Sequence, residues 1–347
     1  MKYLIIILLL FYVFYKNSNN IELFKNLHYK NCSKYKVPKI LRDVFDSNKI
    51  RKTKYVNKAD FLFKCRKNDE VINFLDNNNN YKYLSSIDGC NKLASKVKLW
   101  NIVEKKYGRK EAKKLLPNTY ILDNFNHMTE FQKNYELNKK YILKKPLQNK
   151  KGLLITKNLN TILNAKFHNY EIVQDLMSDL YTIKGRKVNL RIYMVIICKS
   201  NKMNIYLYDD GICMYTNKSY NNNTDNFENQ ITSYNMTYDV YKEVPQFVNQ
   251  LDLYLDRRLL WERICNLMKK IVGAFRNEIC VENNYNSFQL FGPDIILNKK
   301  LEPYLLEINK GPSMQTLNMK ERQFKFKLNN DILDLIKFDK KNNWKLI

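Results

Sequence analysis

Histidine and acidic residues are scarce in this chain, and its cysteines follow no pattern. Three histidines, His28, His127 and His168, are scattered, and seven cysteines, an odd number, fall at irregular intervals without metal-binding spacing. These absences exclude a zinc module and argue against a disulfide framework, which points to a reducing compartment. Asp and Glu total 34 against 60 Lys and Arg, a formal net charge of +26 at pH 7. Such an excess directs the chain toward an anionic partner, whether acidic polypeptide, nucleic acid or anionic membrane face. Part of it reflects a Lys- and Asn-biased composition, visible over residues 76–81 and 219–229, which read as loops. No internal repeat is present, and no basic stripe interleaved with stacking aromatics, so the pattern speaks against nucleic acid. What is present is enough apolar content, 45% of 347 residues, to build two or three packed subdomains.

Long apolar runs are scarce too. The exception is residues 3–15, an unbroken stretch between Lys2 and Lys16 followed by Asn17, Ser18, Asn19 and Asn20. A bilayer span ordinarily takes about 20 residues. Flanking lysines can nonetheless reach the interface, and thin bilayers accept shorter spans. A secretory signal peptide is the competing reading, because the length suits its apolar region, but no small-x-small cleavage pattern follows. A buried or peripheral segment is the third. Lys16, Lys25, Lys30, Lys34 and Lys36 crowd the C-terminal side, so a membrane-anchored chain would hold the rest of its length in the cytosol.

The most informative stretch is Phe288-Gln289-Leu290-Phe291-Gly292-Pro293-Asp294, followed by Pro303-Tyr304-Leu305-Leu306-Glu307-Ile308-Asn309. It reads as a β-hairpin, two apolar-rich runs around the polar turn Asn298-Lys299-Lys300. Side chains alternate along a strand, so Glu307 and Asn309 share a face while Leu306 and Ile308 point into a core. With Asp294 on the facing strand, three oxygen ligands converge, a set that suits Mg²⁺ beside nucleotide phosphates. The alternative is a hairpin with one solvated face. Upstream, Gly185-Arg186-Lys187-Val188-Asn189-Leu190-Arg191-Ile192 alternates strictly. Lys187, Asn189 and Arg191 form a plausible anion face and Val188, Leu190 and Ile192 a core face; an exposed strand edge guarded by charge is the alternative.

At these residues the chain resembles the tubulin tyrosine ligase-like family, amino acid ligases of the ATP-grasp fold. That family carries a run close to F-E-L-F-G-x-D, then L-L-E-x-N-x-x-P-S, and G-R-K-F-D-L-R upstream. The resemblance covers roughly residues 88–326 and implies an α+β fold in which central and C-terminal sheets sandwich nucleotide. Beside the anchor over 1–16 and basic linker over 17–40 read from the N-terminal residues themselves, it implies an N-terminal α/β subdomain over 41–115, a central subdomain over 116–180 and a C-terminal subdomain over 181–347. By resemblance Asp294, Glu307 and Asn309 hold the metal, and Lys187 and Arg191 approach phosphates and the reacting carboxylate. Val173-Gln174-Asp175-Leu176 is similar to the adenine hinge, usually V-Q-K-Y. Lys145, before Pro146, takes the phosphate lysine's place, and Gly152 belongs to a glycine lid whose second position here is Leu154. Further departures are Asn189 for Asp, Gln289 for Glu, and no arginine over Asp209-Asp210-Gly211-Ile212-Cys213. Gln230-Ile231-Thr232-Ser233 stands where the family has H-L-T-N.

The resemblance implies an enzyme using ATP and Mg²⁺ to join a free amino acid, Tyr, Glu or Gly, to an acidic protein tail such as that of tubulin through an acyl phosphate. A membrane-tethered, catalytically degenerate nucleotide-binding or scaffold protein is the alternative.

Overall fold

The computed structural model describes residues 27–65, 71, 82–146, 152–199, 202–281 and 285–347. The expected anchor, the loop over 76–81 and the lid residues 147–151 lie outside the described residues. Among those described, no helix is long and apolar enough to cross a membrane.

Four short strands, β1 (His28–Asn31), β2 (Arg51–Lys52), β3 (Phe61–Phe63) and β4 (Tyr83–Ser85), pair in parallel. A separate antiparallel sheet follows, built from β5 (Thr119–Ile121), β6 (Tyr141–Lys144), β7 (Leu153–Thr156) and β8 (Ile172–Asp175) in the order β5-β8-β6-β7. The remaining strands are β9 (Thr182–Ile183), β10 (Arg186–Lys199), β11 (Lys202–Tyr215), β12 (Asn286–Leu297), β13 (Pro303–Lys310) and β14 (Trp344–Leu346). They join the first four in one ten-stranded sheet of order β14-β11-β10-β12-β4-β3-β1-β2, with β13 on β12 and β9 on β10. The N-terminal and C-terminal parts therefore share a sheet through the parallel β4–β12 pair.

Strand β10 shows how the sequence positions the site. Its even residues, Val188 through Cys198, enter one core with the helices Lys96–Tyr107 and Arg257–Gly273. Its odd residues divide. Tyr193, Val195 and Ile197 pack beneath the helix Met319–Phe338, whereas Lys187, Asn189 and Arg191 precede that cover and face a cavity. The strand is central, paired with β11 and β12, which removes the exposed-edge alternative. The small sheet has its own core, where Tyr141, Leu143 and Val173 meet Phe131.

Two expectations fail. The basic linker over 17–40 contains β1, because Tyr29 is buried and stacks on Phe45 with ring centroids 4.3 Å apart, and a helix, Lys39–Ser47, begins before its end. The cysteines also pair: Cys32–Cys65 and Cys198–Cys280 are disulfides, with Cα separations of 4.7 Å and 5.5 Å. Irregular spacing concealed them because the fold supplies the proximity. Cys32 and Cys65 lie just past the ends of the parallel neighbours β1 and β3, and Cys280 follows the helix that packs beneath β10. The expectation that these cysteines form no disulfide framework is therefore corrected.

Non-reducing peptide mapping should recover both cross-links and leave Cys90, Cys213 and Cys265 as thiols. Loss of either one should cost about 2–4 kcal/mol of stability. Seven alkylatable thiols after denaturation without reductant would overturn the pairings.

Candidate active site

A cavity of about 330 Å³ opens between the two sheets, lined by β6 and β8 on one side and β10, β12 and β13 on the other. Its acidic corner comes from the hairpin. Asp294 and Glu307 are direct cross-strand partners and Asn309 faces Gly292. The Asn309 amide nitrogen donates to Asp294 Oδ2 and Glu307 Oε1, each at 3.3 Å, so the three expected residues do converge. The register shifts beside Asp294. As a consequence Leu305, not Leu306, enters the core with Ile308, while Leu306 lines the cavity, correcting the simple alternation.

Cations oppose this corner. Arg191 pairs with Asp294 at two points, through Nε to Oδ1 and through Nη2 to Oδ2 at 2.9 Å. Burial pushes the Asp294 carboxyl above its ordinary value against the pull of Arg191. Burial, the largest single influence, disfavours the guanidinium too, but the charge and the hydrogen bond of Asp294 together, with smaller help from Tyr193 and Glu307, outweigh it and raise Arg191. Lys187 donates to the Gln230 carbonyl at 2.9 Å, and Asn189 Nδ2 to Thr232 Oγ1 at 2.9 Å. Asn189 Oδ1 is buried with no partner among the described residues, leaving an acceptor for a ligand donor.

Lys144 and Lys145 part ways at the cavity. Lys145 does not line the cavity; its ammonium stands 4.9 Å from the Tyr170 ring centroid, and its N–H donates to the Gly152 carbonyl. Gly152 does not line the cavity either. Lys144 does, and is buried. Period-two alternation is the physical reason, because Tyr141 and Leu143 fill the small sheet's core and leave Ile142 and Lys144 for the cavity face. Burial lowers Lys144 to about 8, partly offset by Glu307, and lowers Lys187 to about 8 with the Lys144 charge adding to the fall. Lys96, which sequence reading missed, reaches within 3.9 Å of Glu307 from the first turn of its helix.

In the hinge, Gln174, Asp175 and Leu176 line the cavity, whereas Val173 is fully buried in the small core. Gln174 Nε2 donates to Thr119 Oγ1 at 2.7 Å. Asp175, which replaces the family's lysine, is paired with Lys139 at 2.9 Å, so its charge is balanced from another position.

Among the described residues no group of three His, Cys, Asp or Glu stands ready for a metal. The two facing carboxylates fit Mg²⁺, which binds through one or two carboxylates together with phosphates and water. Asn309 would add its carbonyl oxygen after turning its amide. Arg191 and a cation would share Asp294.

Two sheets enclosing a cleft with buried cations on one wall and paired carboxylates on a hairpin define a mixed α/β architecture consistent with an ATP-grasp-like fold. The chain belongs to the tubulin-tyrosine ligase family, whose profile matches residues 75–343. It is 26% identical over 211 residues to tubulin polyglutamylase ttll6 of Danio rerio, covering 54% of this chain and 27% of the relative. Against a probable beta-tubulin polyglutamylase of Tetrahymena thermophila it is 26% identical over 330 residues, 81% of this chain and 27% of the relative. Against tubulin monoglutamylase TTLL4 of Mus musculus it is 22% identical over 288 residues, 74% and 24%. The chain thus spans about a quarter of the length of these relatives.

Lys144→Met should weaken ATP binding at least about tenfold, as expected for a lost charge-assisted contact, while Lys145→Met changes it little. The reverse order in calorimetry would overturn the assignment. A polyphosphate favours the charged ammonium, so binding takes up protons wherever the free lysines are neutral. Affinity should therefore hold below a pH of about 8 and fall above it, by up to about one log unit per pH unit for each lysine. A flat profile through that range would contradict the buried placement.

Proposed function

We propose that this protein is an ATP- and Mg²⁺-dependent carboxylate–amine ligase that adds an amino acid, glutamate foremost, to the acidic tail of a protein such as tubulin. The observation that carries the reading is the convergence of Asp294, Glu307 and Asn309 with Arg191, Lys187 and Lys144 around one cavity. Glutamate is favoured over tyrosine or glycine because the relatives bear the names of polyglutamylases and a monoglutamylase.

In this reading ATP supplies a phosphoryl group: an acceptor carboxylate takes the γ-phosphate with release of ADP, and the amine of the incoming amino acid displaces phosphate and loses a proton to form the amide. Lys144, Lys187 and Arg191 stabilise the negative charge that moves among phosphate oxygens, and burial makes each contact stronger than in water. Asp294, Glu307 and Asn309 would hold Mg²⁺, which neutralises phosphate charge. The Gln174–Leu176 edge is suited to adenine through its backbone.

The catalytically degenerate alternative draws on a different observation. Arg191 is already engaged by Asp294, Asn189 supplies no charge, and no arginine stands on β11 over residues 209–213. Anchoring through residues 3–15 with a cytosolic body belongs to the proposal as well, and the two disulfides weigh against that compartment.

Mass spectrometry after incubation with tubulin, Mg²⁺-ATP and each amino acid should show added glutamate. Glu307→Gln should abolish the addition while leaving the melting curve nearly unchanged, because shape is kept and one anionic ligand is lost. Full turnover by the folded variant would sink the mechanism, and nucleotide binding without any addition would favour the degenerate reading.

A further inference from the structure

A second cavity, of about 490 Å³, lies beyond the loop that follows β13. Its apolar wall comes from separate places in the chain: Leu41 of the helix Lys39–Ser47, Phe63 of β3, Leu290 of β12, Met314 of the loop, and Ile332 and Leu333 of the helix Met319–Phe338. Folded interiors hold few voids larger than a water molecule, whereas ligand pockets measure about 300–1,000 Å³. The space is separate from the candidate active site. Lys310, Gly311 and Pro312 line it, while the preceding Asn309 lines the other cavity. Pro312 stands between them, since a Cβ on Gly292 would lie 2.9 Å from both Pro312 Cβ and Arg191 Cδ.

The lining carries charge of one sign. Lys64 and Lys310 reach it, and among the described residues no aspartate or glutamate does. Lys64 is exposed, and Lys310 Nζ donates to Asn91 Oδ1 at 2.9 Å in an exposed contact, so both cations stand at the solvent rim. An ammonium has three protons to donate, which leaves Lys310 two for an anion. Further in, polar groups are already engaged: the buried Asn329 donates through Nδ2 to the Lys325 carbonyl at 2.7 Å. The interior therefore suits an apolar chain and the rim an anionic end.

We propose that this cavity binds a long apolar chain ending in a carboxylate, the chemistry of a long-chain fatty acid, with the chain against Leu290, Met314 and Ile332 and the carboxylate toward Lys64 and Lys310. A bilayer surface fits the same residues poorly, because none of the large apolar side chains in the lining is exposed and able to insert. The proposal is independent of the ligase reading, and its test needs no turnover.

Titration of the full chain with a fluorescent long-chain fatty acid should show saturable uptake of one acid per chain, displaced by palmitate and left in place by saturating Mg²⁺-ATP. Leu41→Trp and, separately, Met314→Trp fill the space from two sides, and each should weaken uptake at least about tenfold, the effect of a few methylenes kept in water. Both side chains are only partly buried, and the melting curve of each variant checks the fold. The alcohol of equal length should bind about two- to fivefold more weakly than the acid, as expected for exposed ion contacts, and K64M/K310M should abolish that difference. No saturable uptake, several acids per chain with affinity unchanged in both tryptophan variants, displacement by Mg²⁺-ATP, equal affinity for acid and alcohol, or binding to phosphatidylserine vesicles without uptake of free acid would overturn the proposal.

Discussion

Arg191 and Asp294 face each other across β10 and β12 with their charges largely out of water, and each is tolerable there because of the other. Removing one partner of such a buried pair costs about 3–5 kcal/mol, since the survivor is left uncompensated. The surrounding chain is shaped to this pair. A side chain at Gly292 would put its Cβ 2.9 Å from Arg191 Cδ and 2.9 Å from Pro312 Cβ, so only glycine allows arginine, hairpin and the loop after β13 to close together. Asn309 then binds the same carboxylate from the other strand. One electrostatic contact thereby joins the anion-facing strand to the metal-suited hairpin, and any ligand for Asp294 also changes what Arg191 can do.

The division of β10 follows from cover, not from composition. The helix Met319–Phe338 shields the odd face only from Tyr193 onward, and its own buried polar residues are satisfied, Lys325 by Glu321 at 2.7 Å within the helix and Asp331 by the Tyr208 hydroxyl of β11, which donates to it at 2.9 Å. Before Tyr193 the same face is uncovered, so Lys187, Asn189 and Arg191 meet ligand space. The four-stranded sheet supplies the opposite wall and brings its own core to hold it.

Much of this was legible because period-two alternation is a local property. It places Lys187, Asn189 and Arg191 together, and it sets Glu307 and Asn309 against Asp294. The same rule, applied to Tyr141-Ile142-Leu143-Lys144, points to Lys144; the motif lysine beside Pro146 drew attention one residue too far. Leu306 shows the rule's limit, because a register shift is not written in the pattern. The disulfides and the Lys139–Asp175 pair were beyond local reading, as each joins positions that only the assembled sheets make neighbours. Lys96 carried no signal either, since a lysine opening a helix in so basic a chain is ordinary.

Two populations of positive charge emerge, and physics separates their roles. Lys144 and Lys187 are few, buried and lowered to about 8 by desolvation, so an entering polyphosphate favours their charged form and is screened little by salt. The lysines on the outer helices are numerous and exposed, so each contact is weak and salt-sensitive and their effect is collective. A ligand with concentrated charge suits the first environment and an extended polyanion the second.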